Sequence, residues 1–436
     1  METIQTYLDL HDPEVAAMMD AESIRQKSTL ALIPSENYSS MAVRLALASS
    51  FTNKYAEGYP YFWENGERSM QKNGRYYRGQ ANTNALERLA IERALKLFTP
   101  NPQAYHANVQ PLSGSPANLA VLHAFLKPGD TFLGLSLDYG GHLTHGHHVN
   151  MTGASYRAVS YRLNVDYELD YDEIRELARL HSPKLIICGA TAYPLQIDFQ
   201  RLGEIAKEAG ALLVADIAHI CGLCVTGHHP HPFPHADIVT TTTHKMLRGP
   251  RAGLILCKKE LGPAIDQAVF PGLQGGPHMN TVAAMAIAFR EAMSGEYKQY
   301  AGQIVRNAKT LAEHLQAEGF RLMGGRTENH LLLLDIVHSD NGLAAKDGHW
   351  LSFRWERAGI IANKNAVPGD KKPWYPSGIR LGTPAVTTLG MKEAEMRQIG
   401  DWIVRATQGA DNDAELEQIR KEIATMMERF APGQFV

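Results

Sequence analysis

Lys245 stands in the run DIVTTTTHKMLRGPRAG, residues 237–253, directly after four threonines and a histidine. A lysine facing water needs no such company. A lysine that must shed its proton and bond covalently to a carbonyl carbon does, because partial burial and nearby cations lower its pKa. Arg248 and Arg251 supply such cations, or bind an anion. Asp216 closes the apolar run ALLVAD (211–216), and His219 follows three residues later. A carboxylate at the end of a buried strand requires a partner, either a structural cation or cap or a protonated ring nitrogen of a bound cofactor. Lys245 comes 29 residues after Asp216, room for one crossover and the next strand. The two are therefore expected at the ends of neighbouring strands, where open α/β sheets bind ligands.

A third element precedes them. Ser113, Gly114 and Ser115 lie just ahead of a helical pattern that starts near Pro116. Small residues let the backbone approach an anion, hydroxyls donate to it, and the amides of a helix N-terminus are unsatisfied. The same residues also suit a plain cap and turn. Taken together, a lysine, a carboxylate and a phosphate cradle at successive strand ends are what pyridoxal phosphate requires. The lysine holds the aldehyde, and the carboxylate keeps the pyridine nitrogen protonated. His142, in LDYGGHLTHGHHV (137–149), lies beyond another strand, a place from which an aromatic ring could stack on a pyridine and touch substrate. Arg380, flanked by turn residues in YPSGIRLGTP (375–384), suits the two parallel bonds that hold an amino-acid carboxylate. No metal site is expected. Cys221 and Cys224 sit in an apolar segment, and His228, His229, His231 and His235 lie among prolines; His145, His147 and His148 form no convincing ligand set.

These side chains need a scaffold. Runs 131–137, 184–190, 211–217 and 236–242 read as strands. Between them, 170–181 and 198–210 carry apolar residues at helical spacing, with Gly210 as a stop. The alternation predicts an α/β fold whose mostly parallel sheet is covered on both faces. Three regions are expected: an N-terminal helical arm at 1–55, a large α/β domain at 56–299, and a small α+β domain at 300–436. In the last, 329–337 is strand-like, 377–383 is a short strand or turn, and 391–430 is mainly helical; 279–319 reads as long helix material. The 436 residues are 44% hydrophobic and 20% charged with net charge −3 and no basic tail, which gives no reason to expect a nucleic-acid partner. Four cysteines, no acid-free basic leader and no apolar run near membrane length predict a reduced, cytoplasmic protein.

With these residues assembled, the chain resembles the serine hydroxymethyltransferase family over about residues 25–405. The resemblance rests on LIPSENYSS (32–40), NKYAEGYP (53–60), RYYRGQ (75–80), NVQPLSGSPAN (108–118), GGHLTHG (140–146), DIAHICGL (216–223), TTTTHKMLRGPRAG (240–253), VFPGLQGGP (269–277) and SGIRLGTPA (377–385). It implies a pyridoxal-phosphate enzyme of fold type I, with a seven-stranded central sheet, working as a homodimer or homotetramer with shared active sites. By position, Lys245 is the cofactor-bearing lysine, Asp216 meets the pyridine nitrogen and His142 stacks on the ring. His219 lies near the phenolic oxygen, with Thr191 beside the cofactor. Ser113, Gly114, Ser115 and His244 hold the phosphate. Tyr55, Gly275 and Gly276 reach the cofactor of the neighbouring subunit. Ser35 and Arg380 hold the substrate carboxylate with Tyr77 close by, and Glu57 carries a proton at the substrate hydroxyl. Leu137, Gly141 and Asn365 line the pocket for tetrahydrofolate, the one-carbon co-substrate.

One departure stands out. Between YAEGYP and RYY the family has about two residues, whereas this chain has fourteen, 61–74. Trp374, Tyr375, Pro376, Pro34 and Met246 also differ from the family's usual residues. The expected activity is serine–glycine interconversion. The alternatives are hydroxymethyl transfer from α-methylserine, giving D-alanine, and folate-independent cleavage of threonine-like amino acids.

Overall fold

A computed structural model describes residues 4–60, 62–64, 67–69, 74–339, 347–370 and 375–430. Seven strands build the central sheet: β1 (Tyr105–Asn108), β2 (Thr131–Leu135), β3 (Arg157–Tyr161), β4 (Leu185–Cys188), β5 (Leu212–Asp216), β6 (Ile238–Thr242) and β7 (Gly253–Lys258). Their order is β1-β7-β6-β5-β4-β2-β3. Only β7 runs antiparallel to its neighbours, so the sheet is mixed but mostly parallel. The apolar runs of β4 and β6 are buried at every position, as strands covered on both faces must be. The strand expected at 131–137 stops at Leu135, because the chain turns at once. The amides of Tyr139 and Gly141 both bond the Ser136 carbonyl, and Gly140 takes φ +91°.

The covering helices follow their sequence signals. In α1 (Gly114–Phe125), Ser113 is the extended residue before the first turn. Asp170 caps α2 (Tyr171–His181) and Asp198 caps α3 (Phe199–Ala209), each accepting a backbone N–H three residues on. The long helix material is two helices, α4 (Met279–Ala292) and α5 (Gly295–Ala317). Ser294 divides them, since its side chain accepts from the Tyr297 amide and restarts the helix.

A second sheet, β8 (Arg321–Leu322), β9 (Leu331–Asp335), β10 (Asn363–Asn365) and β11 (Gly378–Gly382), is antiparallel in the order β8-β9-β11-β10. It packs in a separate hydrophobic cluster with Trp355, Trp402 and Ile419. The helix α5 serves both cores. Tyr297, Ala301 and Ile304 belong to the larger cluster, and Leu311, Ala312 and Leu315 to the smaller, so residue 300 lies within a continuous helix. The N-terminal segment also joins the smaller unit: Leu30–Ala31 pairs in parallel with Ile360–Ile361. This lays Pro34 against β11 so closely that a Cβ on Gly382 would sit 2.5 Å from the Pro34 Cα.

In the fourteen-residue departure, Phe62–Glu64 and Glu67–Ser69 pair as an antiparallel hairpin, with Tyr59 and Gly74 bridged at its stem. The rest of that segment, and Trp374, lie outside the described residues.

The sheet ends are packed without slack. Gly189, just past β4, has φ +129°, and a Cβ there would lie 2.0 Å from the Asp216 carbonyl oxygen. Gly189→Ala is therefore expected to destabilise by on the order of 2–3 kcal/mol, read as a lower urea midpoint at unchanged slope. An unchanged midpoint would show that the ends of β4 and β5 can separate freely.

Candidate active site

A cavity of about 360 Å³ opens where β5 and β6 end. The two strands are parallel neighbours with Asp216 opposite Thr240, so Asp216 and the turn carrying Lys245 face the same space. The four threonines have distinct tasks. Thr240 donates to Asn118 Oδ1 at 2.6 Å, Thr241 to a backbone carbonyl, and Thr243 to the Pro250 carbonyl at 2.6 Å. Thr242 accepts from Lys245 Nζ at 3.0 Å. Burial lowers the Lys245 pKa; Asp216 opposes the shift, whereas Arg380 and Arg251 reinforce it. The amine is thus uncharged over a wider pH range than on a surface lysine.

Asp216 is held in the charged state. Burial alone would raise its pKa, but a 3.2 Å contact from His145 Nε2, a 2.8 Å bond from Asn118 and the nearby His142 leave it well below the usual carboxylate range. The Ala218 amide bonds the other oxygen at 3.1 Å. His142 rests its Nδ1 on Thr144 Oγ1 at 2.7 Å. Burial, only partly opposed by Asp216, lowers its pKa to about 4, which keeps the ring neutral near pH 7.

Ser113, Gly114 and Ser115 line the cavity at the N-terminus of α1. Glycine is required at 114, because a Cβ would lie 2.7 Å from Thr242 Cγ2. His244 also lines the cavity, and its buried Nδ1 has no hydrogen-bond partner among the described residues. Its pKa falls to about 3, through burial first and then Lys245 and Arg251. The sequence left Arg248 and Arg251 open. Arg251 lines the cavity, while the Arg248 guanidinium lies 4.4 Å from the centre of the Tyr300 ring.

Arg380 enters from β11 and is only 9% exposed. Its Nη1 donates to the Thr191 carbonyl, and its Nε to Asn363 Oδ1 at 3.3 Å. Among the described residues no carboxylate pairs with it, and burial alone lowers its pKa to about 10. Ser35, Thr191, His219 and Asn365 also line the cavity. Leu137 and Gly141 lie outside the lining, on the turn that carries His142; Thr191 Oγ1 donates to the Gly141 carbonyl at 3.1 Å.

The other expected site residues gather elsewhere. Tyr55, Glu57, Tyr77, Gly275 and Gly276 are absent from the described lining of this cavity. Tyr77 donates to Glu57 Oε2 at 3.4 Å and meets the Tyr55 ring edge-on at 5.4 Å. A Cβ on Gly275 would lie 3.3 Å from Glu57 Oε1, and one on Gly276 would lie 3.7 Å from Glu57 Cγ. Tyr55 is 61% and Tyr77 42% exposed.

Two positioning residues escaped the sequence reading. Arg75 is fully enclosed, and its Nη1 donates at 2.6 Å to the carbonyls of both Ala56 and Gly58, the residues flanking Glu57. Its Nη2 pairs with buried Glu87, which also accepts from Gln110 at 2.7 Å. Asn118 reaches Asp216 across 98 residues of chain. Neither has a local signal, because their partners are brought close only by the fold.

A buried lysine, a charged carboxylate and small hydroxyl residues at a helix N-terminus thus meet an unpaired guanidinium in one cavity, a set of groups suited to anionic ligands. Residues 8–403 match the family model described as serine hydroxymethyltransferase. The chain is 48% identical to the serine hydroxymethyltransferase of Desulfotalea psychrophila, covering 98% of this chain and 96% of that protein. It is 49% identical to that of Sorangium cellulosum, covering 97% and 96%, and 50% identical to that of an Acidovorax species, covering 96% of each. The chain belongs to the serine hydroxymethyltransferase family. That membership supports a transferase that depends on pyridoxal phosphate. Among the described residues no helix is long and apolar enough to cross a membrane.

Arg75→Ala leaves Glu87 buried without its cation and frees two carbonyls beside Glu57. It is expected to cost about 3–5 kcal/mol in urea unfolding, with part recovered in the double variant Arg75→Met, Glu87→Met. Equal losses in the single and double variants would show that Arg75 acts by something other than this pair.

Proposed function

We propose that the protein interconverts serine and glycine, with pyridoxal phosphate as cofactor and tetrahydrofolate as one-carbon carrier. The observation that carries the reading is the placing of an unpaired, buried Arg380 in one cavity with Lys245 and Asp216. The residues present fit the cofactor: the orphaned His244 Nδ1, the close-packed Gly114 and the hydroxyls of Ser113 and Ser115 suit a phosphate. Bound there, pyridoxal phosphate supplies an electrophilic aldehyde and a ring that accepts electrons.

The chain supplies the rest. Lys245 offers an amine that burial makes easier to deprotonate. Asp216, kept ionised, holds a proton on the pyridine nitrogen facing it. Neutral His142 gives a flat face to stack on, and Thr191 sets the turn beside it. Arg380 and Ser35 orient the substrate carboxylate. Glu57 and Tyr77 take and return the proton at the substrate hydroxyl, and Leu137, Gly141 and Asn365 bound the pterin side.

The partly exposed cluster of Tyr55, Glu57, Tyr77, Gly275 and Gly276 supports a homodimer, or a tetramer of two dimers, in which a second copy brings this cluster to the cavity. The mixed seven-stranded sheet supports fold type I, divided into the arm 1–55, the large unit 56–299 and the small unit 300–436. A cytoplasmic setting suits four buried, free cysteines. A second reading, transfer from α-methylserine to give D-alanine or folate-independent aldolase work, is favoured by the hairpin stem at Tyr59–Gly74, two residues from Glu57.

The purified protein offered serine, α-methylserine and threonine, each with and without tetrahydrofolate, is expected to turn over serine fastest and only with folate. Folate-dependent D-alanine from α-methylserine, with poor serine turnover, selects the second reading. Lys245→Ala should lose the borohydride-trapped pyridoxyl label. Glu57→Gln should keep the cofactor's colour and lose about 10²–10⁴ in rate. A Glu57→Gln enzyme at full rate removes Glu57 from its assigned role.

A further inference from the structure

His219 reaches the cavity from the turn after β5, and behind it lies a second imidazole. His330, immediately ahead of β9, is 0% exposed and is not part of the described cavity lining. His219 Nδ1 and His330 Nε2 are 3.3 Å apart, and the two rings are 5.5 Å between centres. Both residues are fixed by their backbones. The Asp216 carboxylate accepts the Ala218 amide, which sets the turn before His219. His330 accepts the Thr383 amide at 3.1 Å, and its neighbour Asn329 donates to the Tyr193 carbonyl at 2.9 Å.

Both rings are neutral. Burial lowers each pKa, and the facing cations Lys245 and Arg380 lower them further, His330 to about 3. A neutral imidazole carries one N–H and one bare nitrogen. The contact therefore has two forms. In one, His219 Nδ1–H donates, which puts the proton of His330 on its Nδ1. That atom is buried and has no partner among the described residues. In the other, His330 Nε2–H donates and its Nδ1 is a bare lone pair. A buried N–H without an acceptor is the rarer and costlier defect. The second form wins. His219 then has a bare Nδ1 and must carry its proton on Nε2. No described group bonds that Nε2, and the residue lines the cavity.

We infer that His330 is a positioning residue that fixes the tautomer of His219, so that His219 presents an Nε2–H donor to an anionic oxygen of the ligand in the cavity. Resting on the cofactor reading above, that oxygen belongs to pyridoxal phosphate. His219 in this state donates a hydrogen bond and takes no proton.

The test is a double-mutant cycle in the full-length protein, reading the dissociation constant of pyridoxal phosphate by its visible absorbance. His330→Leu is expected to weaken binding about tenfold, the worth of one hydrogen bond to a charged group, and to shift the absorbance maximum. His330→Gln, whose amide also donates, should restore most of both. In the His219→Leu background, His330→Leu should change binding less than twofold. Equal weakening in both backgrounds means that His330 acts by packing alone and overturns the inference. Nitrogen-15 histidine spectra of the cofactor-free protein give an independent reading. The expected result is a protonated Nε2 and a bare Nδ1 on His219, assigned by loss of its signals in His219→Leu, and the opposite tautomer overturns the inference. If the wild-type protein takes up no pyridoxal phosphate, the cofactor reading fails while the tautomer is still decided by these spectra.

Discussion

Three cationic side chains, Lys245, Arg251 and Arg380, share one carboxylate in the described lining of this cavity. Asp216 faces Lys245 from the neighbouring strand, whereas Arg380 has no carboxylate partner among the described residues. Taking a guanidinium out of water without a counter-ion is expensive, and the charge persists only because two polar atoms and the fold hold it. The imbalance sets the chemistry. Burial and the neighbouring guanidinium groups press the Lys245 pKa down, burial keeps His142, His219 and His244 neutral, and Asp216 stays ionised. An anionic ligand entering this cavity would offset the excess positive charge, so that binding and charge compensation would be the same event.

The two sheets contribute different parts of that balance. The parallel strands β5 and β6 deliver Asp216 and the turn bearing Lys245 to the same end of the sheet, with threonine hydroxyls consuming the local hydrogen-bonding capacity. The antiparallel sheet delivers Arg380 from the opposite side, its Nη1 tied to the Thr191 carbonyl of the large unit. The N-terminal segment brings Ser35 across the face of β11 by way of Leu30–Ala31. Three stretches far apart in the chain meet in one cavity, and hydrogen bonds between units fix where they meet.

Much of this was legible in the sequence because the relevant signals are local. Apolar runs, helical spacing and the stop at Gly210 marked β4, β5, β6, α2 and α3 within a few residues, and the Asp216–Lys245 interval placed both groups at adjacent strand ends. What local patterns could not carry was partnership at a distance. Asn118, Arg75 and His330 are single polar residues in otherwise ordinary segments, and their importance comes from burial against groups supplied by remote parts of the chain. The choice between Arg248 and Arg251 was also invisible, because it depends on a left-handed turn at Arg248, φ +55°, that sends its side chain toward Tyr300. The break at Ser294 was a readable cap that the apolar pattern on both sides concealed.

The helix Gly295–Ala317 runs unbroken from the larger core into the smaller, a rod of about 34 Å at 1.5 Å per residue. Such a rod makes the two units mechanically dependent. If the small sheet tilts to bring Arg380 nearer a substrate, the tilt must pivot about this strut or flex it, and Tyr297 and Ile304 at its near end anchor it in the wall of the large unit. Stiffness along one axle thus restricts closure to a swing about that axle and opposes sliding between the cores, so the guanidinium can approach along only a narrow arc.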